Sequence, residues 1–419
     1  MKKSQEEGRW RCNFTLGLFH GIFFNGGMAF SDVGTVLPVF LSSFTASKVL
    51  IGLSSSLWGP LGGVGSALPQ LITANKIENR IRKKPVLIAA IIVRALCWGI
   101  LALITYLFAL SHPWLVVFSL FFLLTLFTFM GGVASIPFYD IWGKAIPSNV
   151  RGRFFGYRQL GGGVLAVGAG WAVKRILSNN EIAFPDNYAL LFLFSFLFVS
   201  VSYLALGLVK EPIEKVHERQ LPFRDFLRKS LRILKSDHNL RRFVIVQILA
   251  GGCGLALPFY VLYARNILKV NLGMVGIFIS AQMAGGVLSN IVWGYLSDFK
   301  GNKVTIILSS LVGFLIPLLA FVTPSHLPGL FVLLFLATGF FITGRVIGNT
   351  NFILDIAPPK QRPAYISLKG TLALPIVIFP LIGGVIIQYF SYLTLFVVTS
   401  LVAGAGFIAS FALEEPRRA

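Results

Sequence analysis

Residues 85–140 read PVLIAAIIVRALCWGILALITYLFALSHPWLVVFSLFFLLTLFTFMGGVASIPFYD. Two apolar runs, each longer than the ~20 residues that a helix needs to cross about 30 Å of hydrocarbon, meet at Ser111-His112-Pro113. Within them stand one cation, Arg94, and one carboxylate, Asp140, at the very end. Lipid offers no partner to an unpaired backbone group, so each run is predicted to be a helix. The roughly ten-residue alternation of a closed β-barrel is absent.

The rest of the chain reads the same way. Of its 419 residues 55% are hydrophobic and only 13% charged, with 39 Phe and a mean hydropathy of +0.78, whereas a soluble domain carries about 25% charged residues. A soluble enzyme, a secreted disulfide scaffold and a disordered chain are excluded. Twelve spans are predicted, at about 13–41, 46–73, 85–110, 113–140, 153–176, 187–209, 240–264, 271–297, 303–323, 327–354, 365–389 and 391–413. The charged start MKKSQEEGRWR and the long apolar run after it do not fit a cleavable leader. Cys12, Cys97 and Cys253 match no metal spacing or redox pair and are expected to be buried structural thiols.

A formal charge of +21 suggests nucleic acid only if position is ignored. Thirty of the 37 Lys and Arg fall on one side, including KIENRIRKK (76–84) and the long connector after span 6. Lys48, Lys174, Arg175, Arg265 and Lys269 fall on the other, and Arg94 and Arg345 lie inside spans. That asymmetry predicts a multi-pass protein of the cell membrane with both termini cytoplasmic, and no nucleic-acid partner. The connector, 210–239, interleaves Leu221, Phe226, Leu231 and Leu234 with Arg and Lys, as a basic helix on an anionic leaflet would. It divides the chain into bundles at 1–209 and 240–419.

The two halves echo each other. VGTVLPVF (33–40) matches CGLALPFY (253–260), superimposing Pro38 on Pro258. Gly52 and Gly62 in span 2 match Gly276 and Gly286 in span 8, and KAIPSNVRG (144–152) matches DIAPPKQRP (355–363). The order is kept throughout, which predicts a parallel duplication: an all-α integral membrane fold, twelve transmembrane helices in two pseudo-symmetric six-helix bundles.

At the end of span 8 stands GYLSDFKGNK (294–303). This stretch resembles the signature loop of the major facilitator superfamily, and the twelve spans, the duplication and the basic central loop extend the resemblance over the whole chain. The resemblance implies two bundles that rock around a mid-membrane cavity. It also implies a cytoplasmic gate in which Gly294 permits close contact while Asp298 accepts hydrogen bonds or pairs with Lys300, Lys303 or Arg362. Asp140, ahead of Arg151, Arg153 and Arg158, is the corresponding candidate in the first half. Departures are visible: Ala74 stands where the repeat would put the acid of Asp298. Span 5 has Gly161, Gly162, Gly163, Gly168 and Gly170 but no proline, and only span 11 carries a Pro380-x-x-Gly383-Gly384 fragment.

Charges inside a span are costly and mark function by default. Asp32 lies beyond the midplane of span 1, seven residues after Asn25 and so on the same face of a continuous helix, with Gly21 below. The matching residue in span 7 is Gly252. Reversible protonation is what a carboxyl shielded from water can supply, and Asp32 is the proton-coupling candidate; a structural carboxylate is the other reading. Arg94 either binds an anionic group of the solute or neutralises a carboxylate such as Asp32. Arg345, nearer the cytoplasm, lines the cavity or snorkels. Asn25, Gln247, Gln282, Asn290, Asn349 and Asn351 either donate to a solute or join helices. His20 relays protons or is hydrogen-bonded packing.

These readings favour secondary active transport by alternating access: proton-coupled efflux of a small amphipathic or hydrophobic solute by a monomer in the bilayer. Neither cofactor nor metal is expected, and no nucleotide motif supplies ATP chemistry. Proton-symport uptake of a nutrient or metabolite is the alternative. A membrane sensor or scaffold is a remote one, and an enzyme is not expected.

Overall fold

The computed structural model describes residues 2–58, 82–212, 232–324, 327–358 and 361–416. The rest of span 2, with Ala74, and most of the expected interfacial helix of the connector lie outside the described residues. The helices are α1 (Lys2–Ala29), α2 (Val36–Ser42), α3 (Lys48–Trp58), α4 (Lys84–Phe108), α5 (Pro113–Ala145), α6 (Ser148–Ser178), α7 (Asp186–Leu208), α8 (His238–Ala250), α9 (Leu257–Asn266), α10 (Met274–Lys300), α11 (Asn302–Val322), α12 (Phe331–Ile356), α13 (Arg362–Leu372), α14 (Phe379–Tyr389) and α15 (Tyr392–Ser410). Several begin at proline, whose missing N–H is no loss in a first turn: Pro85, Pro113, Pro258, Pro363 and Pro380.

Among the described residues, ten helical segments are long and apolar enough to cross a membrane, α4, α5 and α7 among them. Their outward faces carry Phe118, Leu204 and Ile291, each more than two-thirds exposed. Water would not tolerate so much apolar surface, and acyl chains do. The protein is an all-α integral membrane protein of twelve spans; α1 with α2 forms the first, and α3 begins the second.

Span 1 is not one helix. After α1 ends, the Asp32 carboxylate accepts from the Gly34 amide (2.9 Å) and the Thr35 hydroxyl (2.7 Å), and its carbonyl accepts from the Leu37 amide (3.0 Å) at the start of α2. The seven-residue register that would put Asn25 and Asp32 on one face therefore stops at Ala29. Span 7 breaks at the matching place, through a 3₁₀ turn over Gly251–Leu255 between α8 and α9. Three glycines and Pro258 weaken the helix there without an acid.

The chain separates into two compact units. The first holds the described residues of Met1–Thr45, Gly62–His217 and Asn271–Ser280; the second holds those of Ala46–Leu61, Glu218–Val270 and Ala281–Ala419. Packing thus departs from a division at the connector by two short exchanges. In the first unit, residues 271–280 join α6. Backbones meet where a Cβ on Gly276 would strike the Gly170 carbonyl, and Ser280 donates to the Val167 carbonyl (2.9 Å). In the second unit, α3 lies on α14, with the Lys48 amide donating to Gln388 (2.9 Å) and the Leu381 amide to the Ser56 hydroxyl (3.1 Å). Small residues permit such approaches, and lipid-embedded helices use them in place of a hydrophobic driving force. Within the first unit α1 packs between α6 and α7, and α4 between α5 and α7; in the second α11 packs on α12 and α15.

Each unit is closed at its basic face by the same pair of devices. Asn13 on α1 donates to the Lys210 carbonyl (3.0 Å) and accepts from the Lys210 amide (2.9 Å). Asn239 on α8 does the same with Glu414 (3.0 and 3.1 Å). The residue after each clamp is a glutamate that caps a helix start. Glu211 accepts from the amides of Lys83 and Lys84 (2.8 and 3.1 Å), and Glu415 from that of Lys303 (2.8 Å). A carboxylate at a helix N-terminus is favoured by the unpaired amides and the dipole. Gly301, before that second cap, has φ of 93°, and a Cβ there would meet the Glu415 carboxylate.

Replacing Asn13 with Leu leaves a part-buried backbone amide and carbonyl without partners, a loss of about 1–3 kcal/mol, whereas at the exposed Asn239 clamp water replaces the lost bonds and the loss is about 1 kcal/mol. Thermal unfolding of the detergent-purified variants should show both losses, adding in the double variant because the two clamps share no partner.

Candidate functional site

The interior of the first unit gathers three basic side chains. His20 on α1 is 4% exposed. Its Nδ1 lies 2.5 Å from the Ser202 hydroxyl of α7, which in turn donates to the His20 carbonyl (2.8 Å). One hydroxyl hydrogen cannot serve both bonds. With it on the carbonyl, Nδ1 carries the ring proton and donates, which leaves Nε2 as the open nitrogen. Rings surround the imidazole: Phe138 of α5 at 5.5 Å, Phe24 of α1 at 5.9 Å and Tyr203 of α7 at 6.1 Å.

Arg94 of α4 lays its guanidinium 4.2 Å from the Phe127 ring centre, with Phe24 at 5.6 Å and Tyr203 at 5.8 Å. It rests against Gly131 of α5, where a Cβ would just reach van der Waals contact with it. Arg158, eleventh residue of α6, stands 5.3 Å from Phe138 and 5.6 Å from Phe154, against Gly21 of α1. Both guanidinium charges are near enough to act on His20. The Nε of each arginine is buried without a hydrogen-bond partner, as is the Tyr203 hydroxyl.

No described carboxylate answers these charges. Asp32 is held by Gly34 and Thr35 and makes no ion pair with Arg94. Asp140 pairs with Lys83 (2.9 Å) and Lys144 (2.7 Å). Glu211 caps α4, and Glu181 and Asp186 are exposed. An arginine at the centre of a membrane helix costs about 2.5–3.5 kcal/mol, and desolvated aromatic faces return about 2 kcal/mol. For Arg94 three rings bring the two terms near balance, with the directional donors still unused.

The second unit has its own buried cation. Arg345 on α12 is 3% exposed, so it does not snorkel. One terminal nitrogen donates to the Gln247 carbonyl of α8 (3.2 Å), while its Nε, its other terminal nitrogen and the Gln247 side-chain oxygen have no partner. Phe341 lies 5.5 Å away. Asn349 is buried on the same helix, and Gln282 is half-buried on α10. Asn25 abuts Gly162 of α6 in the first unit, and Asn290 bonds back to its own helix at the Gly286 carbonyl (2.8 Å).

At the basic face, Arg151 caps α5 by donating to the carbonyls of Gly143 (2.6 Å) and Ile146 (3.1 Å), not to Asp140. Asp298 is exposed and makes no bond among the described residues; Gly294 has open space beside it. The side chain of Arg362 lies outside the described residues. The network that joins α10 to its neighbours runs one residue earlier. Ser297 donates to Asn302 (2.6 Å), Asn302 to Asp355 (2.6 Å), and Asn351 to Ser297 (3.0 Å). Lys303 contributes its amide, to Glu415. Cys12 is exposed, not buried, because α1 has begun before it and turns it outward.

Arg158, Ser202 and Tyr203 are the residues that sequence reasoning passed over. Arg158 is counted with the basic turn although it stands five residues inside span 5 as read from 153; the helix begins earlier still, at Ser148, so Arg158 is well within it. A serine and a tyrosine in an apolar helix give no comparable signal.

The sequence model described as the Major Facilitator Superfamily matches residues 242–419. Solved structures share the fold over nearly the whole chain. A mutant of the nucleoside transporter NupG aligns with a TM-score of 0.75 at 12% identity, covering 97% of this chain and 100% of that one. A bacterial homologue of the iron transporter ferroportin, in an inward-facing state, aligns at 0.70 and 13%, covering 96% and 98%. FucP, a superfamily transporter in the outward conformation, aligns at 0.62 and 13%, covering 96% and 100%. No curated protein matches the chain in sequence. The superfamily pattern is thus carried by residues 242–419, and over nearly the whole chain the fold is the one these solved transporters share.

Lys83 is 7% exposed and its ammonium depends on Asp140. Asp140→Ala leaves that cation unpaired and should cost about 3 kcal/mol in thermal unfolding, whereas the Lys83→Met, Asp140→Leu double variant should recover much of the loss.

Proposed function

We propose that this transporter couples its solute to protons, with Asp32 as the group that takes up and releases them, and that it exports a small amphipathic solute from the cell. The observation that carries this reading is the helix break of span 1. One Asp32 oxygen holds the turn through Gly34 and Thr35, while the other has no hydrogen bond among the described residues. A proton can therefore come and go on the second oxygen without dissolving the turn. The basic face is read as cytoplasmic from the thirty-to-five split of Lys and Arg, which puts both termini inside the cell. The aromatic lining around His20 supports an amphipathic solute.

Proton-symport uptake is the second reading, and the unpaired arginines favour it. A negatively charged solute entering against an inside-negative potential meets a barrier of about 2.3 kcal/mol per charge per 100 mV, which an accompanying proton removes.

Proteoliposomes with opposed pH gradients separate the two. Antiport accumulates labelled solute when the lumen is acid, symport when it is alkaline. Asp32→Asn should abolish gradient-driven accumulation in either case while leaving solute counterflow intact. Full gradient-driven accumulation by Asp32→Asn would remove Asp32 from the mechanism.

A further inference from the structure

We infer that the first unit binds an organic anion, its acidic head on the guanidinium groups of Arg94 and Arg158 and its apolar body against the rings that pack on His20. The inference deepens the transport reading above and rests on it for the claim that the bound anion is cargo.

Four observations converge. Two guanidinium groups lie in the membrane-spanning part of one unit, and every described carboxylate of that unit is engaged elsewhere or exposed. Each guanidinium carbon lies over an aromatic ring, a contact that uses none of its N–H donors. The orphaned polar atoms around them are donors or can donate: Arg94 Nε, Arg158 Nε and the Tyr203 hydroxyl. The aromatic rings then join the two arginines into one lining, since Phe138 touches both Arg158 and His20, while Phe24 and Tyr203 touch both Arg94 and His20.

Planar, delocalised cations with spare in-plane donors match the oxygens of a carboxylate, sulfonate or phosphate, and their fork geometry gives bidentate bonds that a lysine cannot copy. A cationic solute would meet two like charges, and a neutral one would leave both uncompensated. A Cβ at Gly131 would stand 3.4 Å from the Arg94 guanidinium carbon, in van der Waals contact, so a side chain larger than a methyl there crowds it.

The test uses the full chain purified in detergent, with benzenesulfonate and phenylphosphate as anionic probes. Benzenesulfonamide serves as the uncharged match and phenyltrimethylammonium as the cationic one. Ligands of the folded state raise its melting temperature in proportion to the logarithm of concentration over Kd. The anionic probes should raise it, and the neutral and cationic ones should not. Arg94→Gln and Arg158→Gln should each weaken benzenesulfonate by about tenfold or more, and Arg94→Lys by less than Arg94→Gln. Where an arginine variant does not purify, Gly131→Val keeps every charge and should weaken the sulfonate by crowding Arg94. An equal response to the sulfonamide overturns the anion site, as does sulfonate affinity that ignores both Arg94→Gln and Gly131→Val. Proteoliposomes keep the two readings apart. Sulfonate bound through Arg94 but never moved sinks the transport reading and leaves the anion site standing. Proton-linked movement of an uncharged solute, unaffected by Arg94→Gln, does the reverse.

Discussion

Hydrocarbon offers a polar group neither a hydrogen-bond partner nor a counter-ion, and each unsatisfied group there costs several kcal/mol. The backbone of this protein escapes by being helical wherever it spans. Where a helix stops inside the membrane, something local must replace the lost bonds. In span 1 that is Asp32, with its carboxylate on Gly34 and Thr35 and its carbonyl on Leu37. In span 7 a 3₁₀ turn of small residues keeps enough bonds that no acid is required. The two breaks share a position and differ in chemistry, so the acid is an addition to the architecture and not a condition of it.

The same constraint makes the arginines informative. A side chain that is buried, charged and unpaired persists only if the surroundings compensate it. Around Arg94 and Arg158 they do so with aromatic faces, which address the charge but not the directional N–H groups. Arg345 in the second unit is in a like condition, with one bond to the Gln247 carbonyl and two nitrogens without partners. At the basic face, by contrast, several polar groups have charged or amide partners: Lys83 has Asp140, Asn302 has Asp355, and the amides of α4 and α11 have Glu211 and Glu415.

The duplication is carried further by bonds than by letters. Asn13 with Lys210 and Asn239 with Glu414 form the same reciprocal clamp, although only asparagine is common to them. The clamp uses the backbone of its second member, so any side chain serves there and no motif records it. The following glutamate is different, since its carboxylate itself does the capping, and Glu211-Pro212 and Glu415-Pro416 are indeed alike in the sequence. At Asp298 letters and bonds part the other way. The signature loop pointed to that acid, yet the bonds run through Ser297, Asn302 and Asp355.

The sequence by itself determined that this is a twelve-span helical membrane protein with duplicated halves and its Lys and Arg gathered on one face. Run length, apolarity and the placement of Lys and Arg are properties of a line, and the membrane reads them as such. It also singled out Asp32, Arg94 and Arg345, because a charge inside an apolar run is conspicuous without any coordinates. Only the tertiary structure decided what those charges face. Asp140 meets Lys83 across 57 residues, Asn13 meets Lys210 across 197, and His20 meets Ser202 across 182. Whether Arg94 points at a carboxylate or at Phe127 depends on the rotation of one helix against another. That rotation is set by how glycines such as Gly21 and Gly131 let side chains fit between helices, which no one-dimensional pattern encodes.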